Sequence, residues 1–175
     1  MAFTDPQANL AILQLEPGMH VADFGCGTGA YALLAADLVG PHGVVYTVDV
    51  QKELLEALKA EAVRRGIKNV EVVWGDIERT HGTKLADGLV DAVIFSNVLF
   101  QTSAKYQAVS EARRILKPGG KVLVIDWSDS FGGLGPHPDH VSKEEDVEAV
   151  FVEAGFSKRK RFDAGDHHFG FLFIK

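Results

Sequence analysis

Three glycines at alternate positions, Gly25, Gly27 and Gly29, directly follow an apolar run that contains one carboxylate, Asp23. Glycine lets the backbone approach a ligand closely, and the free N–H groups at the start of a helix favour a negative group. A carboxylate inside a strand is costly to bury without a partner, and a cationic ligand can be that partner. The stretch therefore predicts a nucleotide-type cofactor, but it does not decide which one.

Two further carboxylates stand at the ends of the next strand-like segments. Asp49 is placed to accept hydrogen bonds from ribose hydroxyls, and Asp76 to accept one from an adenine amine. The backbone N–H of Ile77 is available for a ring nitrogen. Each carboxylate alone is more often a helix cap or a surface group. Their position at successive strand ends beside the glycine turn predicts an adenosine site.

The glycine spacing leaves two other functions open. Gly25, Gly27 and Ala30 match a loose GxGxxA dinucleotide pattern, so a nicotinamide-binding oxidoreductase domain is one alternative. A non-catalytic module that keeps the cofactor fold is the other. Calorimetry with cofactors of both kinds and an assay for group transfer separate these readings.

Strand-like and helix-like segments alternate after the glycine loop. Nearly continuous apolar, β-branched runs are typical of strands buried on both faces of a parallel sheet, so we predict βαβ crossovers in a three-layer α/β domain. Ser142 with Glu145 predicts a capping box at the start of the last helix. The last two strands are joined by a short turn, so they are predicted to be antiparallel neighbours. The predicted strands are 20–25, 43–50, 70–76, 90–97, 121–127, 157–165 and 167–175.

The composition, 46% hydrophobic and 24% charged, is typical of one globular domain, here residues 1–175. No apolar run reaches the ~18 residues of a membrane span, and no secretory signal is recognisable at the start, so we expect a cytoplasmic protein. The net charge of −6 argues against a wide nucleic-acid contact, and the basic cluster 158–161 is expected to be a solvated edge strand. The single cysteine, Cys26, excludes a cysteine-rich metal site.

Together the motifs resemble the class I S-adenosylmethionine-dependent methyltransferases, in particular small single-domain members of types 11, 25 and 31. VADFGCGTG is similar to the first motif of that family, VDV to the second, GDI to the third and DAVIFSN to the fourth. LKPGGKVLVIDW is similar to the segment after the fourth motif. The resemblance implies a Rossmann-like, seven-stranded, mostly parallel sheet ordered 3-2-1-4-5-7-6, with strand 7 antiparallel, and S-adenosyl-L-methionine as cofactor.

The resemblance also assigns a part of the cofactor to each motif. The glycine motif would hold the methionine moiety, the second motif the ribose and the third the adenine. The end of the fourth strand would face the methionine end and the methyl donor. The implied contacts are Asp23, Gly25, Gly27 and Gly29; Asp49 with Val50; Asp76 with Ile77; and Ser96 with Asn97.

The acceptor is the part of the reaction about which the sequence says least. The chain reads SNVLF where nucleic-acid N-methylating enzymes carry an NPPY-like or DPPY-like string, and it lacks the cysteines expected of arsenite methyltransferases. Few residues precede the first strand, so no large cap over the substrate is expected. We therefore expect a small-molecule or lipid-like acceptor, with RNA the less favoured class.

Methyl transfer from a sulfonium needs mainly an oriented nucleophile, and a base only where the acceptor must be deprotonated. Candidate bases are Asp126, which ends the fifth strand, and His137 and His140 in the loop after it. Alternatively, Asp126 caps that loop and the histidines are ordinary surface residues. Two histidines three apart define no metal geometry, so no metal is predicted. Candidate aromatic walls of an acceptor pocket are Phe3, Phe100, Trp127 and Phe169.

Overall fold

The computed structural model describes residues 4–131, 133 and 135–175, and within them seven strands form one sheet. The strands are β1 (His20–Phe24), β2 (Val44–Asp49), β3 (Val70–Trp74), β4 (Val90–Ser96), β5 (Leu116–Trp127), β6 (Ser157–Gly165) and β7 (His168–Ile174). Their order, β3-β2-β1-β4-β5-β7-β6, confirms the implied topology. The first five strands pair in parallel, and β7 runs antiparallel to both β5 and β6.

Helices cover both faces of the sheet. They are α1 (Pro6–Ala11), α2 (Ala30–Val39), α3 (Lys52–Arg64), α4 (Lys105–Ile115) and α5 (Glu144–Glu153), with 3-10 turns at Leu99–Gln101 and Pro138–His140. One buried apolar layer joins the sheet to α1, α2 and α3, and the other joins it to α4 and α5. No helix in the described ranges combines the length and the hydrophobicity that a membrane span requires.

The apolar runs form strands with two buried faces, as predicted, except in β3, which lies at the edge of the sheet and has no buried residue. In β1, every residue from Val21 to Phe24 is buried. In β4, Val93 and Phe95 belong to the layer of α4 and α5, whereas Ile94 belongs to the layer of α1 to α3. This alternation follows from the two-residue period of a strand. Because β1 to β5 pair in parallel, their carboxyl ends lie at one edge of the sheet.

Helix α1 was not predicted from the sequence. The side chain of Asp5 caps it by accepting hydrogen bonds from the backbone N–H groups of Gln7 and Ala8, at 3.0 and 3.1 Å. Pro6 occupies the first helical position, where proline is favoured. The Asp-Pro pair was therefore the local signal for this helix start.

Six of the seven predicted strands agree with the observed bounds to within two residues at each end, but two predicted starts are wrong. Helix α5 begins at Glu144 and its N-cap is Lys143 without a side-chain hydrogen bond, so Ser142 lies one residue too early to form the predicted capping box. Strand β5 begins at Leu116 and not at residue 121, because Leu116 pairs with Val90. Extra residues in β5 accommodate this extension, because Val90 pairs with Leu116 and Ala92 with Lys121.

Strand β6 lies at the edge of the sheet, as predicted for the basic cluster. Lys158 forms an ion pair with Glu148 at 2.6 Å, and Arg161 one with Glu144 at 2.8 Å. Both acidic partners belong to α5. Part of the basic charge therefore fixes the strand to the neighbouring helix.

Candidate active site

A cavity of about 530 Å³ opens at the edge of the sheet where β1, β2, β3 and β4 end. It brings together nearly all of the residues to which the resemblance assigned the cofactor. The exception is Gly29, which is not among the lining residues. The predicted residues that line the cavity are Asp23, Gly25, Gly27, Asp49, Val50, Asp76, Ile77, Ser96 and Asn97.

The three loop glycines have different structural roles. All three have positive φ angles, +66° at Gly25, +51° at Gly27 and +79° at Gly29, which disfavour other residues. A Cβ atom at Gly25 would overlap Val98, and one at Gly29 would overlap Leu58. A Cβ atom at Gly27 would meet nothing within 4 Å. Gly25 and Gly29 therefore allow the protein to pack, and Gly27 leaves the cavity open.

Asp23 is the most deeply buried carboxylate of the cavity wall, with 2% exposure. Burial, followed by the negative charge of Asp49, raises the pKa of Asp23 from 3.8 to about 7. None of the described lining residues is lysine, arginine or histidine. The two neighbouring carboxylates therefore lack a cation in the protein, and a cationic ligand fits this position.

Asp49 links the ends of two strands. Its Oδ2 accepts a hydrogen bond from the backbone N–H of Gly27 at 3.2 Å, and its Oδ1 accepts one from the N–H of Gln51 at 2.9 Å. Each carboxylate oxygen has a second lone pair. The side chain is therefore held in place and still has acceptor capacity for a pair of hydroxyl groups.

The loop after β3 is fixed by its own acidic side chains. Oδ1 of Asp76 accepts from the N–H of Glu78 at 2.9 Å, and Oδ2 pairs with Arg79 at 3.0 Å. Glu78 reaches across to the start of α4, where its Oε2 accepts from the hydroxyl of Ser103 and the N–H of Ala104, both at 2.7 Å. The bond from Ser103 is the main cause that lowers the pKa of Glu78. The third motif is thus tied to the loop after β4.

The end of β4 turns sharply at Asn97, whose φ of +53° is unusual for a residue other than glycine. Its N–H donates to the carbonyl of Ile125 at 2.8 Å, which keeps the turn against β5. Its side-chain oxygen is buried and has no hydrogen-bond partner in the described part of the chain. The site therefore holds one acceptor that its own residues leave unpaired.

Tyr31 is a lining residue that the sequence reasoning missed. It lies in the first turn of α2 with 6% exposure, and its hydroxyl oxygen accepts a hydrogen bond from Nδ2 of Asn9 at 3.1 Å. Its place two residues after the glycine motif was the available signal. Other lining residues that the sequence did not indicate include Thr4, Pro6, Gln51, Glu78 and Gln101.

Asp126 lies outside the set of residues that line the cavity. It is fully buried, and its carboxylate accepts from the backbone N–H groups of Phe100 and Trp127, each at 2.9 Å. Burial raises the pKa of Asp126 to about 6 despite these bonds. The geometry is that of a side chain that caps the turns after β4 and β5.

His137 and His140 are exposed, and neither belongs to the cavity wall. Nδ1 of His137 lies 3.3 Å from a carboxylate oxygen of Asp139 in the same short turn. Phe169 is fully buried in the core, and Phe100 and Trp127 are not among the lining residues. Phe3 lies outside the described residues. Across residues 4–131, 133 and 135–175, no group of three or more potential metal ligands occurs.

The strand order, the glycine turn and the carboxylates at successive strand ends define the class I S-adenosylmethionine-dependent methyltransferase fold. The chain belongs to the methyltransferase domain family of type 31, whose model matches residues 15–161. S-adenosylmethionine is the cofactor that this family implies.

Comparison with known proteins agrees with this assignment. The chain is 30% identical over 160 residues to the arsenite methyltransferase of Halobacterium salinarum, covering 83% of this chain and 39% of that protein. It is 33% identical over 126 residues to the ubiquinone/menaquinone biosynthesis C-methyltransferase of Cupriavidus metallidurans, covering 72% and 48%. A SAM dependent methyltransferase from Aquifex aeolicus superposes with a TM-score of 0.89 at 29% identity, covering 98% of this chain and 90% of that one. The chain therefore spans less than half the length of the arsenite methyltransferase and of the C-methyltransferase.

Proposed function

We propose that this chain binds S-adenosyl-L-methionine in the cavity and transfers its methyl group to a small organic or lipid-like acceptor. The observation that carries the proposal is the buried Asp23 beside Asp49, in a cavity whose described wall contains no cationic side chain. The cofactor supplies an ammonium group and a sulfonium, both positive. A ligand with that charge compensates the two carboxylates that the fold buries together.

The residues of the cavity fit the three parts of this cofactor. Ionised Asp23 would pair with the ammonium group, and Asp49, already held by Gly27 and Gln51, would accept from the ribose hydroxyls. The loop at Asp76 would take the adenine. When bound, the cofactor supplies an activated methyl group on sulfur. The open space at Gly27 leaves room for a ligand against the backbone.

The chain's own residues act mainly by binding and orientation. Asp126 would support this by fixing the backbone of Phe100 and with it the 3-10 turn that carries Gln101 into the cavity wall. Orientation alone supplies a large part of the acceleration in such reactions. A role as base for Asp126, His137 or His140 stays a prediction, which a pH profile of turnover tests.

The acceptor class is the least determined part of the proposal. The names of the relatives include arsenite and quinone-biosynthesis enzymes, so they do not select one class. Cys26, the single cysteine of the chain, is buried, and burial raises the pKa of its thiol, which does not favour a thiophilic acceptor such as arsenite. The net charge of −6 does not favour RNA. A cytoplasmic location and a single domain over residues 1–175 complete the proposal.

Two experiments test this function. Calorimetry should show binding of S-adenosylhomocysteine and not of NAD, and binding of NAD alone would support the oxidoreductase alternative. A donor with a tritiated methyl group, offered metabolite, lipid and RNA pools, should label a small or lipid-like acceptor. Cofactor binding without any labelled product would favour the non-catalytic module. Labelling of RNA alone would contradict the proposed acceptor class.

A further inference from the structure

The methionine moiety of the cofactor carries a carboxylate as well as an ammonium group. The cavity offers this carboxylate no cationic partner, because its described wall contains Asp23, Asp49, Asp76 and Glu78 but no lysine, arginine or histidine. A carboxylate brought into an acidic cavity needs hydrogen-bond donors to offset its desolvation. Neutral O–H and N–H groups must therefore supply them.

The hydroxyl group of Tyr31 is a neutral hydrogen-bond donor that lines the cavity. Its hydroxyl oxygen accepts from Nδ2 of Asn9, and the hydroxyl groups of Ser96 and Thr4 lie within hydrogen-bonding distance of it. Burial raises the pKa of Tyr31, so the phenol keeps its proton at physiological pH. Thr4 and Ser96, which also line the cavity, are the polar side chains beside it. Because hydroxyl hydrogens rotate freely, the proton of Tyr31 can turn from these neighbours to a ligand in the cavity.

Tyr31 also lies beside the carboxylate that would bind the ammonium group. Besides burial, the negative charge of Asp23 raises the pKa of the Tyr31 hydroxyl, and both side chains line the cavity. In an amino acid the ammonium and the carboxylate are bonded to the same carbon atom. A donor for the carboxylate must therefore lie next to the acceptor for the ammonium, and Tyr31 meets this condition.

The phenol is held rigidly in this position. Asn9 is 4% exposed, and its Nδ2 donates both to the hydroxyl of Tyr31 at 3.1 Å and to the carbonyl of Ala164 at 3.0 Å. One amide thus joins α1, α2 and β6. A donor that is already oriented loses less conformational entropy when it binds a ligand.

We infer that Tyr31 donates its hydroxyl hydrogen to the carboxylate of the methionine moiety and thereby selects ligands with an intact amino-acid end. This assignment rests on the proposed function and adds a binding residue outside the four sequence motifs. It predicts that the protein binds ligands with the methionine carboxylate more tightly than ligands without it. Binding measurements alone can test this preference, because no methyl acceptor is needed.

The test compares two ligands in calorimetry. S-adenosylhomocysteine carries both groups, whereas its decarboxylated analogue, S-adenosyl-3-thiopropylamine, keeps the ammonium group and lacks the carboxylate. The wild type should bind S-adenosylhomocysteine about tenfold or more tighter, as expected for a hydrogen bond to a charged group. In Tyr31→Phe the ratio of the two affinities should fall close to one, because only the binding of S-adenosylhomocysteine is weakened. Tyr46→Phe, in β2 and outside the cavity wall, is the matched control and should keep the wild-type ratio.

The outcomes separate this inference from the proposed function. Equal weakening of both ligands by Tyr31→Phe, or no weakening of either, would overturn the inference. Equal affinity of the wild type for both ligands would overturn it without any variant, so the test does not depend on the folding of Tyr31→Phe. Failure of the wild type to bind S-adenosylhomocysteine would reject the proposed function as well. Thermal unfolding of both variants shows whether a loss of binding reflects a loss of structure.

Discussion

The backbone N–H of Gly27 donates to the Oδ2 oxygen of Asp49 at 3.2 Å, so the turn after β1 is fastened to the end of β2. The same carboxylate raises the pKa of Asp23 through its charge. The three residues therefore act as a coupled unit: a change at the glycine turn affects the position of Asp49, and the charge of Asp49 affects the ionisation of Asp23.

Gly27→Val should abolish cofactor binding and cost moderate stability. The side chain would enter the open space of the cavity, and the φ of +51° costs a branched residue about 1–2 kcal/mol. Gly66→Val is the matched control, because Gly66, which follows the end of α3, also has a positive φ, +73°, and an open Cβ position but does not line the cavity. Both variants should melt at lower temperature, and only Gly27→Val should lose binding of S-adenosylhomocysteine in calorimetry. Wild-type affinity in Gly27→Val would contradict the assignment of the loop.

The stability of the ligand-free protein should fall as the pH rises from about 4 to 7 because of Asp23. The folded protein keeps a proton on Asp23, whose pKa is about 7, over a range in which the unfolded chain has released it. One such proton changes the free energy of unfolding by at most about 1.4 kcal/mol per pH unit. Asp23→Asn should therefore show a shallower decline in urea unfolding between pH 5 and pH 8. The raised pKa of Asp126 has the same sign and remains in the variant. Parallel curves for the two proteins would refute the prediction.

Asp126→Ala should destabilise the protein by about 1–3 kcal/mol, because two backbone N–H groups lose their acceptor. Asp126→Asn keeps one acceptor oxygen and should cost less. Because Asp126 is not on the cavity wall, either change should affect the affinity for S-adenosylhomocysteine only indirectly, through the turn that carries Gln101, and less than the loss of a direct ligand contact would. Urea unfolding and calorimetry measure both effects. Unchanged stability together with lost turnover in Asp126→Asn would instead identify a base.

Glu111→Ala should be among the most destabilising single changes outside the cavity. The carboxylate of Glu111, 2% exposed, accepts from the hydroxyl of Thr83 at 2.6 Å and the N–H of His81 at 3.0 Å, and it pairs with Arg114 at 2.7 Å. Removal leaves the donors of Thr83 and His81 without their acceptor and leaves the largely buried Arg114 with only the exposed Asp87 as an acidic partner among the described residues, which costs about 3–5 kcal/mol. Glu61→Ala, which removes two ion pairs at the solvent-exposed end of α3, is the control and should change the free energy of unfolding much less than Glu111→Ala does. Chemical denaturation that shows equal losses for both would contradict this account.

The strand order was predictable through the resemblance of the motifs to a known family, whereas most of the cavity was predictable from local signals. Each motif residue stands next to the end of its own strand, and parallel strands end at a common edge. The assignment of Gly29 to the cofactor stays a prediction, and the structure adds that Gly29 packs against Leu58 of α3, which is distant in the sequence. The boundary of β5 was misplaced for a similar reason, because Leu116 extends the strand through its pairing with Val90.

The sequence by itself determined the doubly wound sheet, the glycine turn and the carboxylates at the strand ends, since apolar periodicity and adjacent motif residues act over a few positions. Only the tertiary structure decided which polar side chains complete the site. Asn9 reaches Tyr31 across 22 positions and Ala164 across 155, and Asp126 meets Phe100 across 26. Such contacts form when helices and strands pack against each other in three dimensions, and no local pattern of residue types records them.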